Sequence, residues 1–499
     1  MRNLLTASQM READAYTIAN EPIASIDLME RASLAFVNRL LAIVSLKKSQ
    51  PLLICCGTGN NGGDGLAIGR LLHDRGFTSI TIWVVNYNAH QSADFKTNYQ
   101  RLTALPLKVF ELLPEDELPT IEQELIIDAL LGSGLNKPLS DKWLTLVTHI
   151  NNAKKRVVAV DVPTGMPADG RLATTTEALF AQEVITFQRP KISFLFPESA
   201  HFMERFDVVD IGLNESFIAR QTVDFYEITD KDIWGIYKKR LPFSHKGTYG
   251  HSLLVAGSED TMGAALLCAE ACLYTGSGLT SLCIPQSGFT ALNCRLPEVM
   301  AVERGHLFQE KLDKYKAVAI GPGLGRGGET TELLKYLLDQ PTLPMVIDAD
   351  ALNVLAEKRV LFDQLPPGTI LTPHMKEFDR LFGDHANWWD RVEKARLEAT
   401  ARKLVIVLKN RFTFIALPDG RIAINFTGNP AMASGGMGDA LTGIIVSLLA
   451  QKYGAEDAAI LACYLHGKAG DLLAEDGIAI IPASVLIKKI PKAIGDFFD

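Results

Sequence analysis

A series of short apolar runs punctuates the first half of the chain: Leu52 to Cys56, Ile80 to Val85, Leu125 to Asp128, Val157 to Asp161 and Val184 to Phe187. The stretches between them are long enough to hold helices. Strands that alternate with helices build a parallel sheet, because a parallel pair needs a crossover of about a dozen residues or more rather than a tight turn. In such doubly wound sheets ligands gather at the carboxyl ends of the strands, so the residues that follow each run carry the functional information.

The first run leads into Gly57-Thr58-Gly59-Asn60-Asn61-Gly62-Gly63-Asp64-Gly65 and then a helical pattern with Leu66, Ile68, Leu71 and Leu72 on one face. Backbone amides at such a strand-to-helix turn favour phosphate. Gly57, Gly59 and Gly62 satisfy G-x-G-x-x-G, the pattern of a dinucleotide site. A dehydrogenase would place an acidic residue at the end of the next strand to hold the ribose, and here that strand ends in Asn86. Asn60, Asn61 and Asp64 are also polar side chains that a turn hugging pyrophosphate does not need. The third run delivers Asp128 and then Leu130-Leu131-Gly132-Ser133-Gly134-Leu135, and the fourth delivers Asp161-Val162-Pro163-Thr164-Gly165.

The alternation lapses near Ile211 to Asn214, and the polar segment Asn214 to Asp232 reads as a linker or docking segment. A fresh alternation starts at His251 to Gly257. It continues through a helix from Gly263 to Thr275 and strands at Ala317 to Ile320, Met345 to Ile347 and Ile370 to Thr372. We expect two α/β domains, residues 1–220 and 221–499, without internal duplication. A chain of 499 residues is too long for one ordinary core. Its net charge of -8 argues against nonspecific nucleic-acid binding. Arg2, Arg11, Glu12 and Asp14 interrupt any secretory apolar segment, and Ala440 to Ala450 is too short to span a bilayer, so a cytoplasmic protein with no membrane partner is expected. Seven cysteines without a C-x-x-C pair read as small core residues in a reducing compartment rather than zinc ligands.

In the second half, Ala433-Ser434-Gly435-Gly436-Met437-Gly438-Asp439 runs directly into an apolar helix. Amides at that helix start can stabilise a phosphoryl group in flight, and the carboxylate of Asp439 can accept a proton from an attacking hydroxyl. Lys409-Asn410-Arg411-Phe412-Thr413 follows the strand Leu404 to Leu408 and offers cations to nucleotide phosphates. Gly321-Pro322-Gly323-Leu324-Gly325, Asp348-Ala349-Asp350 and Thr372-Pro373-His374-Met375-Lys376-Glu377 end three further strands. Taken singly each is an ordinary turn. Together they favour one site on one rim.

These motifs resemble a known family. Asn60 to Gly65 with Asp161 to Gly165 is similar to the NAD(P)H-hydrate epimerase domain. Gly321 to Gly325, Thr372-Pro373-His374 with Glu377, and Gly435 to Asp439 are similar to the ribokinase-like ADP-dependent NAD(P)H-hydrate dehydratase. Both halves in one chain resemble the fused repair enzymes. The resemblance implies a Rossmann-like first domain that interconverts the R and S hydrates of NADH and NADPH (NADHX and NADPHX). Asn60, Asn61, Gly62, Gly63, Asp64, Gly132, Ser133, Gly134, Leu135, Asn136, Lys137, Pro138 and Asp161 would bind the hydrate, Asp161 would move the proton, and Asn61, Asp128 and Thr164 would hold K+. It implies a second domain in which Mg2+ and ADP serve phosphorylation of the S hydrate, followed by loss of phosphate and release of AMP. There Asp439 would be the base, Ala264, Gly325, His374 and Asp439 would contact the hydrate, and Lys409, Asn410, Arg411, Phe412, Thr413 and Gly438 would bind ADP. Lys376 stands where the family commonly has glycine. A homo-oligomer is expected from the same resemblance. The competing expectation is a ribokinase-like small-molecule kinase fused to a nucleotide-binding module, since one anion hole and one aspartate serve both chemistries.

Overall fold

Alternate residues of the strand Leu52–Cys56 point into two different cores, which explains its uninterrupted apolar sequence. Leu53 and Cys55 pack with Trp143, Leu146 and Ile150 on one face of the sheet, whereas Ile54 and Cys56 pack with Phe36, Leu40 and Leu66 on the other. A computed structural model provides the structure, and it describes all residues except 88–89, 136, 173–175, 340–342 and 497–499. It divides into two compact units: Asn3–Val223 with Asn387–Trp389, and Met1–Arg2 with Asp224–Ala386 and Asp390–Asp499.

The first unit carries a seven-stranded parallel sheet in the order Lys108–Leu112, Ile80–Val85, Leu52–Cys56, Leu125–Ala129, Arg156–Val160, Ala181–Phe187, Met203–Val209. The order reverses between Leu52–Cys56 and Leu125–Ala129, which brings the glycine turn and the Asp128 turn side by side at a switch point. The edge strands Lys108–Leu112 and Met203–Val209 escape sequence reading because they are half-exposed and interleaved with charge.

The second unit carries an 11-stranded sheet. Its parallel part runs Val405–Leu408, Ile370–Leu371, Met345–Ile347, Ala317–Ile320, His251–Val255, Leu279–Ile284, Met300–Glu303. The hairpin Thr413–Ala416 and Ile422–Asn425 extends it in antiparallel fashion, followed by Phe225–Glu227 and Arg2–Asn3. Part of the presumed linker is therefore ordered structure: Phe225–Glu227 is a strand, and Asp230–Ile236 is a helix closed by a capping box between Thr229 and Asp232. Helices Met262–Thr275 and Met437–Ala450 cross at Gly443, where a Cβ would lie 2.1 Å from the Cys268 carbonyl oxygen. Among the described residues no helix is long and apolar enough to cross a membrane.

Candidate functional sites

The glycine turn is built by close backbone approach. A Cβ on Gly57 would lie 2.0 Å from the Leu130 carbonyl oxygen, and one on Gly62 1.7 Å from the Gly57 oxygen, so only glycine fits at either position. Gly57 N donates to Ala129 O at 3.0 Å, tying the turn to the neighbouring strand end. The helix Asn60–Asp74 starts inside the motif, so its first amides face outward, unbonded within the helix and available to an anion. Asn60 is exposed there, while Gly62 and Gly63 are buried beneath it.

Asp128 is fully buried on the adjacent strand end. Its Oδ2 accepts from Thr164 N at 2.8 Å, and its Oδ1 accepts from Thr164 Oγ1 at 2.7 Å and Leu130 N at 3.2 Å. Burial pushes its carboxyl up to about 6, against these hydrogen bonds. Among the described residues no basic side chain forms an ion pair with it. The Asn61 amide lies against Gly132, and its Nδ2 is buried without a partner. The Asp128 carboxylate and the Thr164 hydroxyl thus present oxygen atoms together at this strand end, donors of the kind a hard monovalent cation takes, whereas the contact shown for the Asn61 side chain is with Gly132.

Asp161 is held in the left-handed region, φ 65°, at the end of Arg156–Val160. Lys191 Nζ lies 2.6 Å from its Oδ1, which also accepts from Thr186 Oγ1 at 3.0 Å and Phe187 N at 3.3 Å. Asp14 and Asp64 surround the pair. Burial, then the charge of Asp161, lifts Asp14 to about 6, and the same two causes raise Asp64 well above the usual carboxylate range. A cavity of about 740 Å³ is lined by Ser133, Gly134, Leu135, Lys137 and Pro138 of the predicted loop and by Arg11 and Asp169, while Asp161 and the Asn60 to Asp64 turn are not among its lining residues. Gly132 is not among its lining residues, and Asn136 lies outside the described residues. Asp14 and Lys191 were missed by sequence reasoning. Lys191 closes the polar run Gln188-Arg189-Pro190-Lys191 straight after a strand, and that position was its only signal.

In the second unit, Gly436 adopts φ 87° and lets the chain turn into the helix Met437–Ala450, placing Asp439 in its first turn. Burial, and then the negative charge of Asp348, lifts the Asp439 carboxyl to about 6, with Lys409 opposing. Asp348 is itself buried and fully engaged: Oδ1 accepts from Lys409 Nζ at 2.9 Å and Oδ2 from Thr442 Oγ1 at 2.7 Å. Burial alone would lower the Lys409 ammonium, but Asp348, Glu377 and Asp439 overcome it and hold the group charged. A cavity of about 530 Å³ lies next to this cluster, lined by Lys409, Asn410, Arg411, Thr413 and Gly438. Phe412 instead packs on Phe426, ring centroids 5.0 Å apart, beneath the Arg411 guanidinium, and is not a lining residue.

His374 caps the helix Met375–Phe382, its Nδ1 accepting from Lys376 N at 3.1 Å and Glu377 N at 3.4 Å, while Glu377 Oε2 accepts from His374 N at 2.9 Å. Burial lowers the His374 imidazolium below its ordinary value. Lys376 sits exposed in that first helical turn without a positive φ, so the backbone makes no demand for glycine there. Gly323, φ 59°, fits against Thr261 and Ala264, and Gly325 N donates to Asp350 Oδ2 at 2.9 Å. Asp350 and Glu377 both act on Asp439 through space. Electrostatics and packing thereby link the four strand-end motifs. His466, also missing from the sequence reading, borders the nucleotide-sized cavity with its imidazolium pushed down to about 4 by burial.

The two units match separate families. Residues 25–193 match the YjeF-related protein N-terminus, and residues 252–492 match NAD(P)H-hydrate dehydratase. The bifunctional NAD(P)H-hydrate repair enzyme of Moorella thermoacetica is 35% identical over 493 residues, spanning 94% of this chain and 92% of its own. The chain belongs to the bifunctional NAD(P)H-hydrate repair enzymes. The repair enzyme of Vibrio cholerae is 36% identical over 477 residues, spanning 94% of this chain and 93% of its own. A ribokinase-like superfamily protein from Enterococcus faecalis superposes with a TM-score of 0.51 at 26% identity, covering 56% of this chain and 98% of its own. The ribokinase-like architecture expected for the repair enzyme's second half is thus present, joined to a doubly wound first half.

Proposed function

We propose that this chain repairs hydrated nicotinamide cofactors with an epimerase in residues 1–220 and an ADP-dependent dehydratase in residues 221–499. The observation that carries the reading is the cluster of Asp439, Asp348 and Lys409 beside a cavity of about 530 Å³ at a helix amino terminus. Asp439 takes the proton of the C6 hydroxyl as that oxygen attacks the terminal phosphoryl group of ADP, and the helix amides receive the developing charge. The transfer leaves AMP; the C6–O bond then breaks with departure of phosphate, a proton leaves C5, and the C5–C6 double bond of the reduced nicotinamide is restored. Lys409, Asn410, Arg411 and Thr413 with Gly438 orient the nucleotide, and Ala264, Gly325 and His374 border the hydrate. Phe412 supports Arg411 from behind. Mg2+ enters with the phosphates, whose charge it neutralises; no cluster of three or more acidic, histidine or cysteine ligands forms a metal site of its own among the described residues.

In the epimerase, Asn60 to Asp64 and the Gly132 to Pro138 loop hold the dinucleotide. Exchange at C6 needs the hydroxyl proton removed as the C6–N1 bond opens, its electron pair passing to N1 and into the conjugated carboxamide. The proton returns as the ring closes on the opposite face. Asp161 is the group placed for that transfer. Asn61, Asp128 and Thr164 would hold K+, which compensates the buried Asp128 charge and fixes the adjoining loops. Mixed R and S hydrates incubated with the protein, ADP and Mg2+ should both disappear, with phosphate, AMP and reduced nicotinamide formed in equal amounts. Accumulation of a stable phosphorylated hydrate would instead identify a kinase.

A further inference from the structure

Three contacts converge on a single oxygen of Asp161. Oδ1 carries the Lys191 ammonium, the Thr186 hydroxyl and the Phe187 amide, and Oδ2 carries none of them. Lys191 is only 3% exposed. Burying an ammonium is costly unless a partner compensates it, so the pairing is a constraint on both groups. The backbone holds the residue in place: Asp161 occupies the left-handed region, which aspartate tolerates, and Asp161 N and Val162 N are both tied to strand carbonyls. A residue that only ended a strand would need no buried lysine.

The surrounding charges give the lysine a purpose. Asp14 from the helix Ala7–Asn20 and Asp64 from the helix Asn60–Asp74 act on Asp161 from two sides, with Asp94 beyond Asp64. Asp169 and Arg11 stand on the side of Lys191. Within this crowd of carboxylates the Lys191 ammonium makes its ion pair with Asp161, 2.6 Å from Oδ1.

We propose that Lys191 is the positioning residue of the epimerase: its ammonium, with the Thr186 hydroxyl and the Phe187 amide, fixes the Asp161 carboxylate through Oδ1 so that Oδ2 faces the substrate hydroxyl. The inference rests on the reading of Asp161 as the proton-transfer group. The transferred proton moves between the C6 hydroxyl and Oδ2 alone.

The test follows R-to-S conversion of epimer-pure hydrate without ADP, with spontaneous exchange subtracted, in Lys191→Met, Lys191→Arg, Asp161→Asn and the double variant Lys191→Met/Asp161→Asn. Lys191→Met should lower kcat by about 100-fold with KM within about threefold, as expected for a group that serves proton transfer rather than binding. Lys191→Arg should recover to within about tenfold of wild type. The double variant should be no slower than Asp161→Asn, because Lys191 acts only through Asp161. If Lys191→Met fails to fold, Lys191→Gln replaces it, with the same expected loss. Near-wild-type turnover in Lys191→Met overturns the proposal, as does a double variant slowed by the product of the two single losses. Wild-type turnover in Asp161→Asn would instead overturn the underlying reading of Asp161.

Discussion

Lowering the pH should switch off dehydration well before it unfolds any carboxylate network, and the midpoint follows from the surroundings of Asp439. Its carboxyl stands at about 6 because burial and the neighbouring Asp348 outweigh the Lys409 ammonium. A general base must be deprotonated to act, so activity follows the ionised fraction. With a midpoint near 6 that fraction is about nine-tenths at pH 7 and about one-tenth at pH 5, giving roughly a tenfold fall in kcat. An ordinary aspartate would still be almost wholly ionised at pH 5, and kcat would hardly change. The assay supplies S hydrate at saturating ADP and Mg2+, records the initial absorbance gain of reduced nicotinamide, and checks it against phosphate release. The nonenzymatic rate at each pH is subtracted. A kcat that stays flat from pH 7.5 to 5, or falls only below about pH 4, would show that the raised carboxyl is not the group that takes the proton.

Asp439→Asn should lower ADP-dependent dehydration by about 1,000-fold or more while epimer exchange, measured without ADP, stays near wild type, because the two clusters belong to separate units. Asp161→Ala should leave S-hydrate repair intact and strand the R form, which chiral separation of the residual hydrate would detect. Replacing K+ with a large organic cation should slow epimerisation and spare dehydration, and Asp128→Asn should blunt that ion dependence. Gly443→Ala should cost about 1–3 kcal/mol in denaturant unfolding, since its methyl group would press on the Cys268 carbonyl at 2.1 Å. Gly328→Ala, with nothing within 4 Å, should be neutral or slightly stabilising in the same measurement.

The parallel sheets were legible because a strand buried on both faces is apolar throughout, and Leu52–Cys56 and Val405–Leu408 carry that signal without any homologue. Half-exposed edges such as Lys108–Leu112 and Met203–Val209 carry too little of that signal. The strand expected at Ile370 to Thr372 is present as Ile370–Leu371, paired with Met345–Ile347 and Val405–Leu408. Site residues followed the same division. Asp128, Asp161 and Asp439 stand directly beside glycines or strand ends, where chemistry has a sequence context. Asp14 sits in the middle of a polar helix, and only the close approach of Asp161 distinguishes it from a solvated side chain. His466 likewise sits among helix core residues and reaches a cavity only when the helix Ala455–Glu475 packs against the turn at Gly438.

The two carboxylates assigned to proton transfer are placed under opposite electrostatic conditions, and the difference follows from where each lysine is spent. Lys409 is hydrogen-bonded to Asp348, so Asp439 receives only part of its field and remains a raised carboxyl. A base matched to neutral pH suits a hydroxyl that must be activated once, at the moment it attacks phosphorus. Lys191 instead contacts Asp161 directly, and the raised carboxyls in that cluster are its neighbours Asp14 and Asp64. A carboxylate held by one fixed cation suits exchange, in which the hydroxyl proton must leave as the ring opens and return to the same oxygen as it closes. Changing the lysine's partner would therefore change which kind of reaction each cluster can support, even with every carboxylate left in place.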